Sequence, residues 1–149
     1  MNDLALAEGL IKISTLPKLK DLLNYSFETS FFDWAIVCSY FSIFHATQAL
    51  LGLKKVKIDT RLHYATLIAF AKQFIINGEL ESHLFYIYEN AENKAKELLE
   101  IFEEEKKKRS LFQYHRLSKN NLQPAKESLN NAKSFLEAIQ EILKKKNII

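Results

Sequence analysis

Three glycines, two prolines and one cysteine in 149 residues exclude several architectures before any pattern is read. Sandwiches and barrels turn about every 8–12 residues, and glycine and proline supply most of those turns. Five such residues are too few for an all-β chain. No Gly-x-Gly pair occurs among Gly9, Gly52 and Gly78, so neither a phosphate-cradling loop nor a dinucleotide fingerprint is present. Cys38 stands alone, which rules out an internal disulfide and a cysteine-based zinc site. Charge of one sign is also scarce. Twenty-one Lys and Arg against eighteen Asp and Glu leave +3, with an isoelectric point near 8.9, a mild excess for a nucleic-acid binder.

What is present is apolar mass, 48% of residues, spaced as helices and sized for one domain over 1–149. Leu129, Ala132, Phe135, Leu136, Ile139, Ile142 and Leu143 recur at three- and four-residue intervals behind Pro124, which suits a first helical turn. Leu80, Leu84, Tyr88, Ala91, Ala95, Leu98, Leu99 and Phe102 predict a long helix from about Glu79 to Lys108, after an Asn77-Gly78 stop. Before it, Leu62, Ala65, Leu67, Ile68, Ala71, Phe74 and Ile75 predict another, capped near Asp59 or Thr60. The first thirty residues predict two short helices separated near Pro17.

From about Phe31 to Leu51 the chain is apolar on nearly every side, the mark of a central helix. Ala35, Ser39, Ser42, Ala46 and Ala49 form a stripe of small residues that lets another helix approach, with Trp34, Phe41 and Phe44 filling volume elsewhere. Residues Trp34 to Leu53 carry no formal charge, enough to span a bilayer. Ser39, Tyr40, Ser42, His45, Thr47 and Gln48 would need partners in lipid, so the expectation is burial in protein and no membrane. The opening Met1-Asn2-Asp3 does not read as a signal peptide, and the expected location is cytoplasmic. The fold class is all-α, an up-and-down bundle of four to five helices.

Helical bundles do not declare a chemistry, so the histidines are weighed singly. His45 reads as a satisfied core histidine, and His63 and His83 as structural. No histidines stand at i and i+4 and no Glu-x-x-His occurs, so neither a metal site nor another cofactor is expected. Arg109 and His115 differ. They flank Ser110-Leu111-Phe112-Gln113-Tyr114 where the long helix loses its pattern. A guanidinium fits phosphate oxygens, and an imidazole exchanges protons at neutral pH. The pair could cut RNA without metal, with Lys108, Ser110 and Tyr114 as neighbouring binding candidates. On one continuous helix, however, six residues turn through about 600°, leaving the two side chains roughly 120° apart and about 9 Å along the axis. Either the helix ends between them or long side chains swing into a shared cleft, which in a two-fold dimer could also receive the same pair from the partner. The plainer reading puts Arg109 in a cationic helix end and His115 in a surface turn.

Three stretches resemble the HEPN family (higher eukaryotes and prokaryotes nucleotide-binding domain). Asp33-Trp34-Ala35-Ile36 through Ser39-Tyr40-Phe41-Ser42-Ile43-Phe44-His45-Ala46-Thr47-Gln48-Ala49-Leu50-Leu51 is similar to its aromatic-rich second helix. His63-Tyr64-Ala65-Thr66-Leu67-Ile68, with Phe74 and Gly78, resembles its third. Arg109 to His115 falls where that family carries an R-x(4–6)-H motif. The resemblance implies a helical bundle that dimerises with the motif at the interface, a metal-independent endoribonuclease, and a toxin encoded beside a minimal nucleotidyltransferase antitoxin. Arg109 would then hold phosphate and His115 act as general acid/base. Ser110 stands where active members often carry Asn, Asp or His, and Gln113-Tyr114 also fits a neighbouring branch's R-x-x-x-Asp-Tyr. Leu117 occupies the place of the modifiable tyrosine of R-x4-HxY toxins, so control there is not implied. The alternative is a non-catalytic module that partners a nucleotidyltransferase or binds nucleotide or RNA.

Overall fold

The computed structural model describes residues 2–57, 63–108 and 121–148, with 104–108 described by backbone alone. Those residues form six α-helices and no strand. In chain order they are α1 (Asn2–Thr15), α2 (Pro17–Leu22), α3 (Phe32–Leu53), α4 (His63–Phe70), α5 (His83–Lys108) and α6 (Leu122–Lys145). Pro17 opens α2, where its missing N–H costs nothing. A π-helical turn, Ala71–Ile75, continues α4 and is closed by the Ile76 N–H donating to the Ala71 carbonyl at 2.9 Å. Gly78 then takes φ +71°, the left-handed conformation that glycine adopts without a Cβ penalty, and the chain turns into α5.

α3 is the axis of the molecule and packs against α1, α5 and α6. Thirteen of its twenty-two residues are buried. It is long and apolar enough to cross a membrane, yet its neighbours already cover most of its surface. One core joins α3, α4, the π turn, α5 and α6 around Ile43, Phe70, Phe74, Tyr88 and Phe135. A second joins α1, α3 and α6 around Ala7, Phe32, Ala35 and Ala125. At the far end of α3, the Lys54 ammonium donates to the Gln73 carbonyl (2.8 Å) and pairs with Glu79, which Lys146 also reaches at 2.5 Å. One lysine thus ties α3, the π turn and the approach to α5, and Glu79 adds the end of α6.

Several expectations about α3 change. The small-residue stripe packs only in its first half: Ala35, Ser39 and Ser42 are buried, Ala46 is half-buried and Ala49 is exposed. The second half borders a cavity of about 320 Å³ against Leu136, Ile139 and Leu143 of α6. Trp34 is exposed rather than volume-filling, and Phe41 is half-buried. His45 is not a core histidine. Its side chain is 53% exposed, and its Nδ1 meets the Asp3 carboxylate at 2.9 Å, because its place on α3 looks out beside the start of α1. The expected cap at Asp59 or Thr60 lies outside the described residues.

Candidate functional site

α3 and α5 run antiparallel, and two ring pairs show the register. Near the start of α3, Trp34 stacks on Phe102, with centroids 4.6 Å apart and planes at 21°. Two turns along, Tyr40 faces Tyr88 at 6.3 Å. The first turn of α3 therefore grips the last part of α5. It also grips the start of α6. The Asn121 amide donates to the buried Asp33 carboxylate at 2.5 Å. Burial pushes the Asp33 carboxyl up, and the Asn121 hydrogen bond opposes that shift by favouring the anion. Phe102 and Asn121 thus fix to one helical turn the two ends of the stretch that contains Arg109 to His115.

Arg109, Ser110, Tyr114 and His115 lie outside the described residues. Lys108 is the last residue of α5, and its side chain is likewise outside them. What the fold supplies for these candidates is the frame. Asn121→Ala tests that frame. Removing the donor leaves a buried carboxylate unpaired, which is expected to cost about 1–3 kcal/mol. Asp33→Asn, which also removes the charge, should cost less. Thermal unfolding of the two variants reads the difference.

Beside the frame, between α3, the first residue of α4 and α5, lies a cavity of about 280 Å³. Its described lining is Tyr40, Phe41, His63, Glu92, Lys96, Leu99, Glu100 and Glu103. The five α5 residues among them recur at three- and four-residue spacing and so share a face of that helix. His63 stacks on Phe44 at 4.3 Å and is hydrogen-bonded through Nδ1 to the Tyr40 hydroxyl. Burial pushes the Tyr40 phenol far up, helped by the Glu92 charge, so it stays protonated. The hydrogen bond ties the orientation of the ring to that of the phenol, with the donor set by the His63 tautomer. Burial, and to a lesser degree the neighbouring His45, holds His63 below the ordinary histidine value and keeps the ring neutral.

Glu92 is the polar group without a mate. Its Oε2 is sealed from solvent and has no hydrogen-bond partner among the described residues. Burial raises its carboxyl above the usual range; Lys96 opposes that shift and Glu89 adds to it. A raised folded-state value means a contribution to stability that is complete below the unfolded value of 4.5 and is lost as pH climbs through the folded value. Glu92→Gln should therefore be more stable than the parent at pH 7 by about 0.5 kcal/mol, the gain being small because the site is half open to water. The difference should vanish below pH 4.5. Denaturant melts at pH 4 and pH 7 check the sign.

Sequence reasoning missed this cavity. The available clue was an acid at Glu92, four residues after Tyr88, on the stripe that otherwise runs Leu84, Tyr88, Ala91, Ala95. Leu99, expected on the apolar face, stands 36% exposed at the cavity rim. His83 is a surface residue, beside Glu81 at 3.1 Å. Among the described residues, no three His, Cys, Asp or Glu side chains gather as metal ligands.

Comparison with known proteins adds what geometry does not. A family model described as HEPN domain matches residues 20–143, a span that takes in the frame, the cavity and the Arg109–His115 stretch. A protein of Methanocaldococcus jannaschii named "Putative toxin MJ0142" is 36% identical over 67 residues, 45% of this chain and 44% of its own length. The chain thus spans less than half of that relative. No solved structure matches.

Proposed function

Since the chain belongs to the HEPN domain family, we propose that it is a toxin-type endoribonuclease of that family, active without metal and kept in check by a minimal nucleotidyltransferase antitoxin. The observation that carries the reading is the family match, whose span, residues 20–143, includes Arg109 and His115. The relative named as a toxin supports the biological role. In this reading Arg109 binds the phosphate. His115 takes the proton of the ribose 2′-hydroxyl as the 2′-oxygen attacks phosphorus, and the departing 5′-oxygen is protonated in turn. Lys108, Ser110 and Tyr114 contact the strand. Trp34 with Phe102, and Asp33 with Asn121, hold the ends of the segment, and a homodimer in the cytoplasm brings two such segments to one groove.

The test is cleavage of a defined RNA with EDTA present, reading for 2′,3′-cyclic phosphate and 5′-hydroxyl ends. An inert wild-type protein under those conditions refutes the proposal. One observation favours a second reading, that of a non-catalytic module that partners a nucleotidyltransferase: three of the four charged residues in the cavity's described lining are acids, which repel a phosphate backbone. Nucleotidyltransferase binding without cleavage would select it.

A further inference from the structure

Three helices bring their C-terminal ends to one end of the bundle. α3 and α6 run parallel: Asp33 meets Asn121 at their starts, and Lys54 and Lys146 meet Glu79 just past their ends. The π turn that closes α4 joins them, because Lys54 also donates to the Gln73 carbonyl at 2.8 Å. Two lysine runs far apart in the sequence, Lys54-Lys55-Val56-Lys57 and Lys144-Lys145-Lys146, thereby become neighbours. Residues 53–57, 72–79 and 144–148 hold seven lysines and one acid, Glu79, which two of the lysines already engage. With the bordering Glu81 and Glu141 counted too, seven lysines against three acids leave +4, more than the +3 of the whole chain. Lys55, Lys57, Lys144 and Lys145 are exposed and meet no carboxylate among the described residues.

Lysine near a helix C-terminus offsets the helix dipole. That role does not account for the aliphatic side chains set among these lysines. Leu53 is 51% exposed, Ile76 75% and Ile148 45%. Leu53 also lines, with Leu143, the cavity of about 320 Å³ between α3 and α6, so apolar surface continues from the exposed end between the two helices. Unpaired ammonium groups around exposed aliphatic chains match a bilayer surface, where anionic headgroups draw the lysines and the acyl boundary takes the hydrocarbon. A nucleic-acid strand asks for rings or guanidinium planes on which bases stack. Leu53, Ile76 and Ile148 supply neither.

We propose that this end of the bundle docks the protein on an anionic membrane surface. Lys55, Lys57, Lys144 and Lys145 lie against the headgroups, and Leu53, Ile76 and Ile148 enter the acyl boundary. α3 stays packed in protein, so the contact is with one face of a bilayer and not a crossing. The 22 residues of α3 span about 33 Å. That length separates the docking end from Asp33 and Trp34, which hold the frame of the Arg109–His115 stretch. Docking therefore uses none of the residues assigned to RNA cleavage, and neither reading depends on the other.

The experiment floats the full-length protein with vesicles of phosphatidylcholine alone and of phosphatidylcholine mixed with phosphatidylglycerol. The protein is expected to float with the anionic vesicles and not with the neutral ones, and binding should fall as salt is raised. Lys144→Gln combined with Lys145→Gln should weaken it by about twentyfold, at about fivefold for each lysine. Lys18→Gln combined with Lys126→Gln removes the same charge from exposed positions at the far end and should leave binding unchanged. Ile76→Ser should weaken binding by about tenfold with every charge in place. All five side chains are exposed, so the melting temperature should stay at the parental value in each variant. No binding to anionic vesicles, equal binding to neutral ones, or equal losses from the two lysine pairs would each overturn the proposal. So would a gel shift in which RNA binding, and not vesicle binding, is lost with Lys144 and Lys145, since the surface would then serve a nucleic acid.

Discussion

His115→Ala is expected to lower EDTA-resistant RNA cleavage by about 10²–10⁴-fold, the usual worth of a positioned acid/base. Arg109→Ala is expected to cost about 10²–10³-fold, the scale of one lost electrostatic donor at a developing charge. Arg109→Lys should recover only part of that loss, because an ammonium gives the charge without the planar fork that grips two phosphate oxygens. Residues serving one transition state act as a unit, so the double variant should be little worse than the poorer single. The melting temperature should stay at the parental value in all three single variants. Continued cleavage by His115→Ala at the parental rate would reject the assignment. A mixing experiment probes the geometry. If each groove takes its arginine from one protomer and its histidine from the mate, pooling Arg109→Ala with His115→Ala protein restores intact sites in the mixed dimer, whereas pairs formed within one chain give the same recovery only after exchange of segments. Were the two residues to share one continuous helix, their roughly 120° offset would make the first outcome the expected one.

The frame behind that prediction was only partly legible in the residue pattern. Helix identity was clear where one face is apolar and the other charged: Leu129, Phe135, Ile139 and Ile142 all turn inward on α6. The pattern weakens where every side is apolar. Through α4 and the π turn, Ala65 and Ile68 mark a face that competes with Leu67 and Phe74, and Phe70 escaped notice although it is wholly buried. The π turn adds a residue there, so a 3.6-residue period does not run through it unbroken. On α3 the same ambiguity hid the outward placement of His45 and Trp34. The cavity was illegible for a further reason. Its lining comes from three helices far apart in sequence, Tyr40, His63 and Glu92, and only tertiary packing makes them neighbours. The Arg109–His115 motif was legible as a local spacing, and its fixed ends were not, since Asp33 meets Asn121 across eighty-eight positions.

The aromatic knot that sets this packing carries the second large effect. Phe70 of α4, Tyr88 of α5 and Phe135 of α6 are all buried, with centroids 5.4 Å apart for Phe70–Phe135 and 5.9 Å for each of the other two pairs. The three rings join three helices, so no single helix can relax to refill a void among them. Phe135→Ala should therefore fall in the costly part of the range, about 3–5 kcal/mol, measured by denaturant unfolding with an unchanged m-value. Against a total stability of about 5–15 kcal/mol, such a loss leaves the domain marginal. Tyr88→Phe gives the opposite contrast at the same knot. The Tyr88 hydroxyl is buried with no hydrogen-bond partner among the described residues, and burial pushes its phenol far up. Deleting that oxygen keeps the ring packing and removes an uncompensated desolvation, so Tyr88→Phe should be neutral or stabilising by up to about 1 kcal/mol. A loss of about 2 kcal/mol or more in Tyr88→Phe would mean that the hydroxyl is hydrogen-bonded in the folded protein, and would make Tyr88 part of the same polar system as Tyr40, His63 and Glu92 rather than of the apolar core alone.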